Sequence, residues 1–236
     1  MLEIKKVTKK YGQKTAIKDI SLLVNEGEIF GFVGPNGAGK TTLIKSVVGI
    51  HKFDQGDILI EGISIKQNEI TYKKKLAYIP DNPDLYENLK GIDYLNFIAD
   101  IYEVEEKERE KLIKEYSELF GIYKNLGDLI SSYSHGMKQK LAIISALIHN
   151  PKVLILDEPF VGLDPKSSKD LKDIMKKLCQ NGTTIFFSSH VLEVVEKLCD
   201  RVGIIKDGKL IKIGKTKEIT ESEDLESVFL ELTNEK

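Results

Sequence analysis

The chain has 236 residues, 41% of them hydrophobic and 31% charged, with a formal net charge of −2. That length suffices for one large domain with a sizeable core. The near-neutral charge weighs against a general nucleic-acid binder, and no apolar run reaches the length of a membrane span.

Residues 2 to 24 alternate apolar and polar side chains, as in Lys14-Thr15-Ala16-Ile17-Lys18-Asp19-Ile20, and residues 57 to 65 resume the pattern. They predict an antiparallel β layer. Met1 to Lys6 alternates like a strand and lacks the apolar block of a signal peptide, and neither end carries a lipidation motif. Between these stretches, Glu28-Ile29-Phe30-Gly31-Phe32-Val33 reads as a buried strand and Thr41 to Val48 as a helix. The residues joining them, Gly34-Pro35-Asn36-Gly37-Ala38-Gly39-Lys40-Thr41, fit G-x-x-x-x-G-K-[ST]. Glycines there let backbone N–H groups turn inward as a cage for anionic oxygens, and the following helix adds its dipole. Lys40 reaches the outer phosphates of a nucleotide, and Thr41 offers a hydroxyl to Mg²⁺, with Thr42 beside it.

Residues 91 to 120 carry apolar side chains at helical spacing, Tyr94, Leu95, Phe97, Ile98 and Ile101, then Leu112, Ile113, Tyr116, Leu119 and Phe120. They predict a helical insertion, with the charged run 103 to 111 as a solvated face. Val153-Leu154-Ile155-Leu156 is an unbroken apolar run, the mark of a strand covered on both faces. A helix near 166 to 180, a strand at Thr183 to Phe187, a helix from Val191 to Cys199 and a strand at Val202 to Ile205 follow, with Asp207-Gly208 as a hairpin turn. Strands alternating with helices imply a mainly parallel sheet. The fold class is therefore α/β, a P-loop NTPase core with an N-terminal antiparallel β subdomain and a helical insertion. Cys179 and Cys199 have no metal-ligand spacing and read as reduced, buried thiols.

Asp157 and Glu158 end the apolar run, and carboxylates at the C-terminal ends of parallel strands are placed for chemistry. Asp157 suits Mg²⁺ through oxygen. Glu158 suits the orientation and deprotonation of a water, although adjacent acids after a strand also occur as a plain solvated turn.

The whole chain resembles the nucleotide-binding subunit of an ABC transporter. The stretch Tyr133-Ser134-His135-Gly136-Met137-Lys138-Gln139-Lys140 is similar to the family signature L-S-G-G-Q, matching at Ser134 and Gly136 and departing at Tyr133, His135 and Met137. Alone, Ser134 reads as an ordinary helix N-cap. Within the resemblance, Ser134 and Gly136 contact the γ-phosphate of the ATP bound to a second protomer, in a head-to-tail dimer. The resemblance also implies that Tyr11 stacks on adenine, where the bare sequence allows packing in the β layer. It implies that Gly162-Leu163-Asp164 is the D-loop and that His190 is the switch histidine, joining Glu158 and Lys40 as the catalytic set. Histidine at 135 stands where the family has glycine, so the backbone angle there is a point to check.

Asp81 occupies the place of the family's Q-loop glutamine; it keeps a metal-facing oxygen and loses the amide donor. The resemblance thus gives ATP and Mg²⁺ as cofactors and a separate integral membrane permease as partner, docking on loop 81 to 92 in a groove between core and helical insertion. It puts the chain at the cytoplasmic face of the membrane. The boundaries expected are a β-rich layer and core over 1–82 and 151–215, a helical subdomain over about 83–150, and a helical tail over about 216–236. The tail Asp224 to Leu232 resembles endings of export-type subunits that work with ABC-2 class permeases, pointing to export of a drug, antibiotic peptide or similar compound. An amphipathic last helix packed on the core has the same pattern. A soluble ABC ATPase of an assembly machine, such as iron–sulfur cluster assembly, is the alternative.

Overall fold

The computed structural model describes residues 1–233, so the last three residues of the expected tail, 234–236, lie outside the described residues. The described chain divides into two compact units. One holds Met1–Tyr78, Lys152–Pro159 and Met175 onward; the other holds Ile79–Pro151 and Phe160–Ile174.

In the first unit the alternating N-terminal residues form β1 (Leu2–Tyr11) and β2 (Lys14–Val24), joined by β4 (Gln55–Ile60) and β5 (Ile63–Ser64) in an antiparallel sheet of order β2-β1-β4-β5. The fully buried run Ile29–Val33 is β3, and it leads into α1 (Lys40–Val47). A short α2 (Glu69–Lys74) and β6 (Leu76–Ile79) follow. After the second unit's helices come β7 (Val153–Asp157), β8 (Thr184–Ser188), α7 (Leu192–Leu198), β9 (Arg201–Lys206) and β10 (Lys209–Lys215), then two short terminal helices over Thr216–Ile219 and Leu225–Thr233. The second sheet has the order β10-β9-β3-β8-β7-β6. Strands β9, β3, β8 and β7 run parallel, and β10 turns back antiparallel.

β3, β7 and β8 are buried at every position, which is why their sequences are mostly apolar rather than alternating. The two sheets and α1 share one core. Leu2, Ile4 and Ile20 from the antiparallel sheet meet Phe30, Phe32, Ile155 and Phe186 from the parallel one, with Leu43, Ile44 and Val47 of α1 between them. Phe30 and Phe186 stack at 5.7 Å on adjacent strands. Burying a side chain of this size contributes about 1.5–3 kcal/mol. This core fixes the C-terminal ends of β3, β7 and β8 relative to one another.

The second unit is built on α3 (Gly91–Ile101), α4 (Glu106–Leu119) and α5 (His135–Leu147), with the first turns of α6 (Pro165–Gln180). Leu95, Ala99, Ile113, Leu141 and Ile144 are buried. The helical spacing seen in residues 91 to 120 thus gives two helices, separated where Glu103 takes a left-handed φ of 56°.

Candidate nucleotide site

The loop between β3 and α1 is closely fitted. Gly39 caps α1 with φ 112°, and a Cβ there would sit 2.8 Å from the Ala16 carbonyl oxygen. Gly34 is as confined, since a Cβ would lie 2.7 Å from Cγ2 of Ile205. The positive φ angles at Gly37 and Gly39 turn successive N–H groups to one side, a concavity suited to an anion. Ala38 N donates to Pro35 O at 3.1 Å, and Lys40 Nζ lies inside the loop, donating to Gly34 O at 2.5 Å and Pro35 O at 3.2 Å. Pro35 and Asn36 are exposed. Burial lowers the pKa of Lys40, and the carboxylates of Glu158 and then Asp157 work in the opposite direction. A half-buried ammonium among carbonyls, beside a cage of N–H groups, is a site for phosphate oxygens.

The turn Asp207-Gly208 buttresses this loop. Both residues have positive φ, 48° and 73°, as a two-residue hairpin turn requires. Gly208 N donates to Ala38 O at 2.9 Å, and Gly208 O accepts from Lys18 N at 2.8 Å. The sequence shows the turn; its bond to residue 38 is non-local and leaves no local signal.

Asp157, 3% exposed, ends β7, and Ser188 Oγ donates to its Oδ1 at 2.5 Å. The pair follows from register, since Asp157 faces Ser188 across β7 and β8. Glu158 comes next with φ 50°, an uncommon angle for a residue with a side chain. Its N–H donates to Ser188 O at 3.2 Å. Its carboxylate then accepts from His190 N at 3.2 Å and lies 2.9 Å from His190 Nδ1. The structure therefore brings Lys40, Asp157, Glu158 and His190 into one unit at one end of the parallel strands. The oxygen donors here, a Thr41 hydroxyl and the Asp157 carboxylate, are hard ligands of the kind Mg²⁺ takes alongside phosphate oxygens and water. Among the described residues no cluster of three or more His, Cys, Asp or Glu could hold a metal by itself, which fits an ion held partly by its nucleotide.

A family model for ABC transporters matches residues 17–161, and YhcH, an uncharacterized ABC transporter ATP-binding protein of Bacillus subtilis (strain 168), is 43% identical over 219 residues, 92% of this chain and 71% of the relative. The chain belongs to the ABC transporter ATP-binding family. The linearmycin resistance ATP-binding protein LnrL of the same organism is 39% identical over 91% of this chain and 69% of its own length. The bacitracin transport ATP-binding protein BcrA of Enterococcus faecalis is 38% identical over 90% and 68%. A solved ATP-binding subunit of an ABC transporter superposes with a TM-score of 0.96 at 32% identity, covering 99% of this chain and 100% of that one. The cassette MJ0796, dimeric and bound to ADP and Pi in a post-hydrolysis state, gives 0.82 at 26% identity, with 92% and 99% covered. The ABC cassette fold, ATP as substrate, Mg²⁺ as its usual ion and ATPase activity follow from this membership.

The other residues singled out from the sequence take these places. Tyr11 is 46% exposed at the end of β1, with Oη 2.5 Å from Nδ1 of His51, a residue that no motif in the sequence singles out. Thr41 and Thr42 follow Lys40 in the first turn of α1. In the second unit Ser134 is the N-cap of α5, accepting from Met137 N at 3.3 Å. His135 is the first helical residue and does not take a positive φ, so histidine in place of glycine is tolerated. Gly136 faces Gly162, where a Cβ on Gly136 would lie 3.0 Å from Gly162 O.

Asp164 caps α6, accepting from Ser167 N at 2.9 Å, with Pro165 first in the helix, a favoured first position for proline. It also pairs with Lys140 of α5 at 2.8 Å. Lys140 first, then Ser167, holds its carboxyl below the usual carboxylate range. The signature-like helix and the D-loop-like turn are thus tied together within one chain. Asp81 is exposed and accepts from its neighbour Asn82 N at 2.9 Å; it belongs to the second unit.

Proposed function

We propose that this chain is the ATP-hydrolysing subunit of an exporter for a drug, antibiotic peptide or similar compound. It works as a head-to-tail pair of cassettes, most simply two copies of this chain, on a separate ABC-2 class permease at the cytoplasmic face of the membrane. The observation that carries the hydrolytic assignment is the Glu158 carboxylate, held at the strand ends by a strained backbone and two contacts to His190. Export of antibiotic-type compounds is supported by likeness to proteins named for linearmycin resistance and bacitracin transport. The dimer is supported by the dimeric form of MJ0796.

In this reading the whole chain is one nucleotide-binding domain. The loop amides of residues 34–39 and the Lys40 ammonium bind the phosphates, and Tyr11 stacks on the adenine. Thr41 and Asp157 would hold Mg²⁺, which would neutralise phosphate charge. Glu158 accepts a proton from a water as its oxygen bonds to the γ-phosphorus and the bond to the β–γ bridging oxygen breaks, giving ADP and phosphate. His190, hydrogen-bonded to Glu158, orients that carboxylate and faces the γ-phosphate. Ser134 and Gly136 meet the ATP of the opposite cassette at the N-terminus of α5. ATP then closes the pair because it binds the closed state more tightly, and hydrolysis reopens it. A permease face is supported by Tyr86, 60% exposed, packed edge-on against Phe97 at 5.8 Å in the second unit.

The test is co-purification. Tagged Glu158→Gln protein with ATP and Mg²⁺ is captured from native membranes in mild detergent, and its partners are identified. A multi-spanning membrane protein of the ABC-2 class is the expected result. Recovery of soluble partners alone would replace the exporter with an assembly ATPase.

A further inference from the structure

The Tyr11 ring is held at its hydroxyl. Besides the 2.5 Å contact to His51 Nδ1, the two rings meet edge to face with centroids 5.9 Å apart and planes at 80°. Lys9 Nζ lies over the tyrosine ring, 5.0 Å from its centroid. Tyr11 as a whole is 46% exposed.

His51 is itself anchored. Helix α1 ends in a Schellman turn: Gly49, with φ 73°, donates to Ser46 O at 3.2 Å, and Ile50 N donates to Lys45 O at 2.9 Å. The same carbonyl of Lys45 accepts from His51 N at 3.0 Å. The imidazole thus stands at the C-terminal end of the helix whose first residue is Lys40. Burial lowers the pKa of His51, and the neighbouring Lys45 and Lys9 lower it further. A neutral imidazole protonated at Nε2 accepts the Tyr11 hydroxyl proton at Nδ1.

We infer that His51 is a positioning residue for nucleotide binding, holding the Tyr11 ring in one orientation for the purine and tying that ring to the helix that carries the phosphate loop. This rests on the reading of Tyr11 as the base-stacking residue. A ring fixed in advance loses less freedom when the base arrives, which shows in affinity rather than in the chemical step.

The experiment measures ATP affinity, KM and kcat for Tyr11→Ala, Tyr11→Phe, His51→Ala, His51→Asn and the Tyr11→Phe/His51→Ala double variant. Tyr11→Ala removes the stack and is expected to raise KM at least tenfold. Tyr11→Phe and His51→Ala each remove one hydrogen bond and are expected to raise KM about fivefold with kcat unchanged. The double variant should be no weaker than either single, because both break the same bond. His51→Asn, whose amide oxygen takes the place of Nδ1, should restore most of the affinity. If Tyr11→Ala weakens binding while Tyr11→Phe and His51→Ala do not, the role of His51 is overturned and base stacking stands. Multiplicative effects in the double variant would overturn it too. An unchanged KM in Tyr11→Ala would remove the stacking role itself, and the inference with it.

Discussion

Glu158 occupies a left-handed backbone angle, φ 50°, that costs a residue with a Cβ about 1–2 kcal/mol. The cost persists because the neighbouring strand ends fix the turn on both sides: Ser188 O accepts its N–H, and His190 engages its carboxylate. Two substitutions separate the roles of backbone and side chain. Glu158→Gln keeps the size and the angle, so ATP turnover should fall by about 10²–10⁴ with little change in the urea midpoint. Glu158→Gly should lose turnover to the same extent yet gain about 1 kcal/mol in unfolding free energy, since glycine takes the angle freely. A Glu158→Gln protein that retained its rate would remove this residue as the base. The candidate role was legible because a carboxylate pair follows an unbroken apolar run. The strain was not, because it is imposed by β8, which is distant in sequence. Ser188 was overlooked for the same reason: its bond to Asp157 exists only through cross-strand register.

At the scale of elements, legibility followed burial. β3, β7 and β8 read directly because every position is buried, and α3 read from its spacing. The antiparallel layer was legible in kind, though not in its irregularities. β1 departs from simple register between Ile4 and Val7, and Lys6 and Asp19 take φ of 46° and 52°. These breaks answer to partner strands and leave no local trace. The start of α5 was legible because a capping residue, Ser134, announces it; Asp164 was singled out only through the resemblance, and its capping of α6 is a finding of the structure. The end of α1 depends on Gly49, whose left-handed φ closes the turn and whose missing Cβ leaves Lys73 Cε and Ile65 Cδ1 undisturbed, at 2.9 and 3.0 Å from where it would stand. Gly49→Ala should therefore lower stability by about 1 kcal/mol, read as a drop in the thermal midpoint. If the alanine variant melts at the wild-type temperature, the Schellman turn is not what holds this end.

For the whole molecule, acid should act through the second unit. His149 stacks flat on Tyr102 at 3.6 Å, and burial pushes its pKa down to about 4 from the ordinary 6.5. Between those two values the unfolded chain binds more protons, so stability falls as pH drops from about 6.5 to about 4, by as much as ~3 kcal/mol. His149→Phe keeps a ring against Tyr102 and should flatten that part of the pH–stability curve; an unaltered curve would assign the acid sensitivity elsewhere. The thiols respond in the opposite sense. Burial, then Asp200 and Glu28, pushes Cys179 up to about 12, and burial with Asp200 raises Cys199 well above the ordinary thiol value. Neither should react with a thiol reagent at pH 8 in the folded protein, while both should react in urea. Rapid native labelling would mean that one of them opens to solvent.

The eight residues of α1 also act as a ruler. An α-helix advances about 1.5 Å per residue and turns about 100°, so its length sets how far Lys40 stands from the Gly49 turn, and its phase sets the side on which His51 emerges. Adding one residue inside α1 would leave its composition and apolar character nearly intact, yet it would swing the far end by more than a quarter turn. Surface loops absorb insertions readily; this helix has no slack. An inserted alanine after Lys45 should cost more nucleotide affinity than any point substitution on the helix's exposed face.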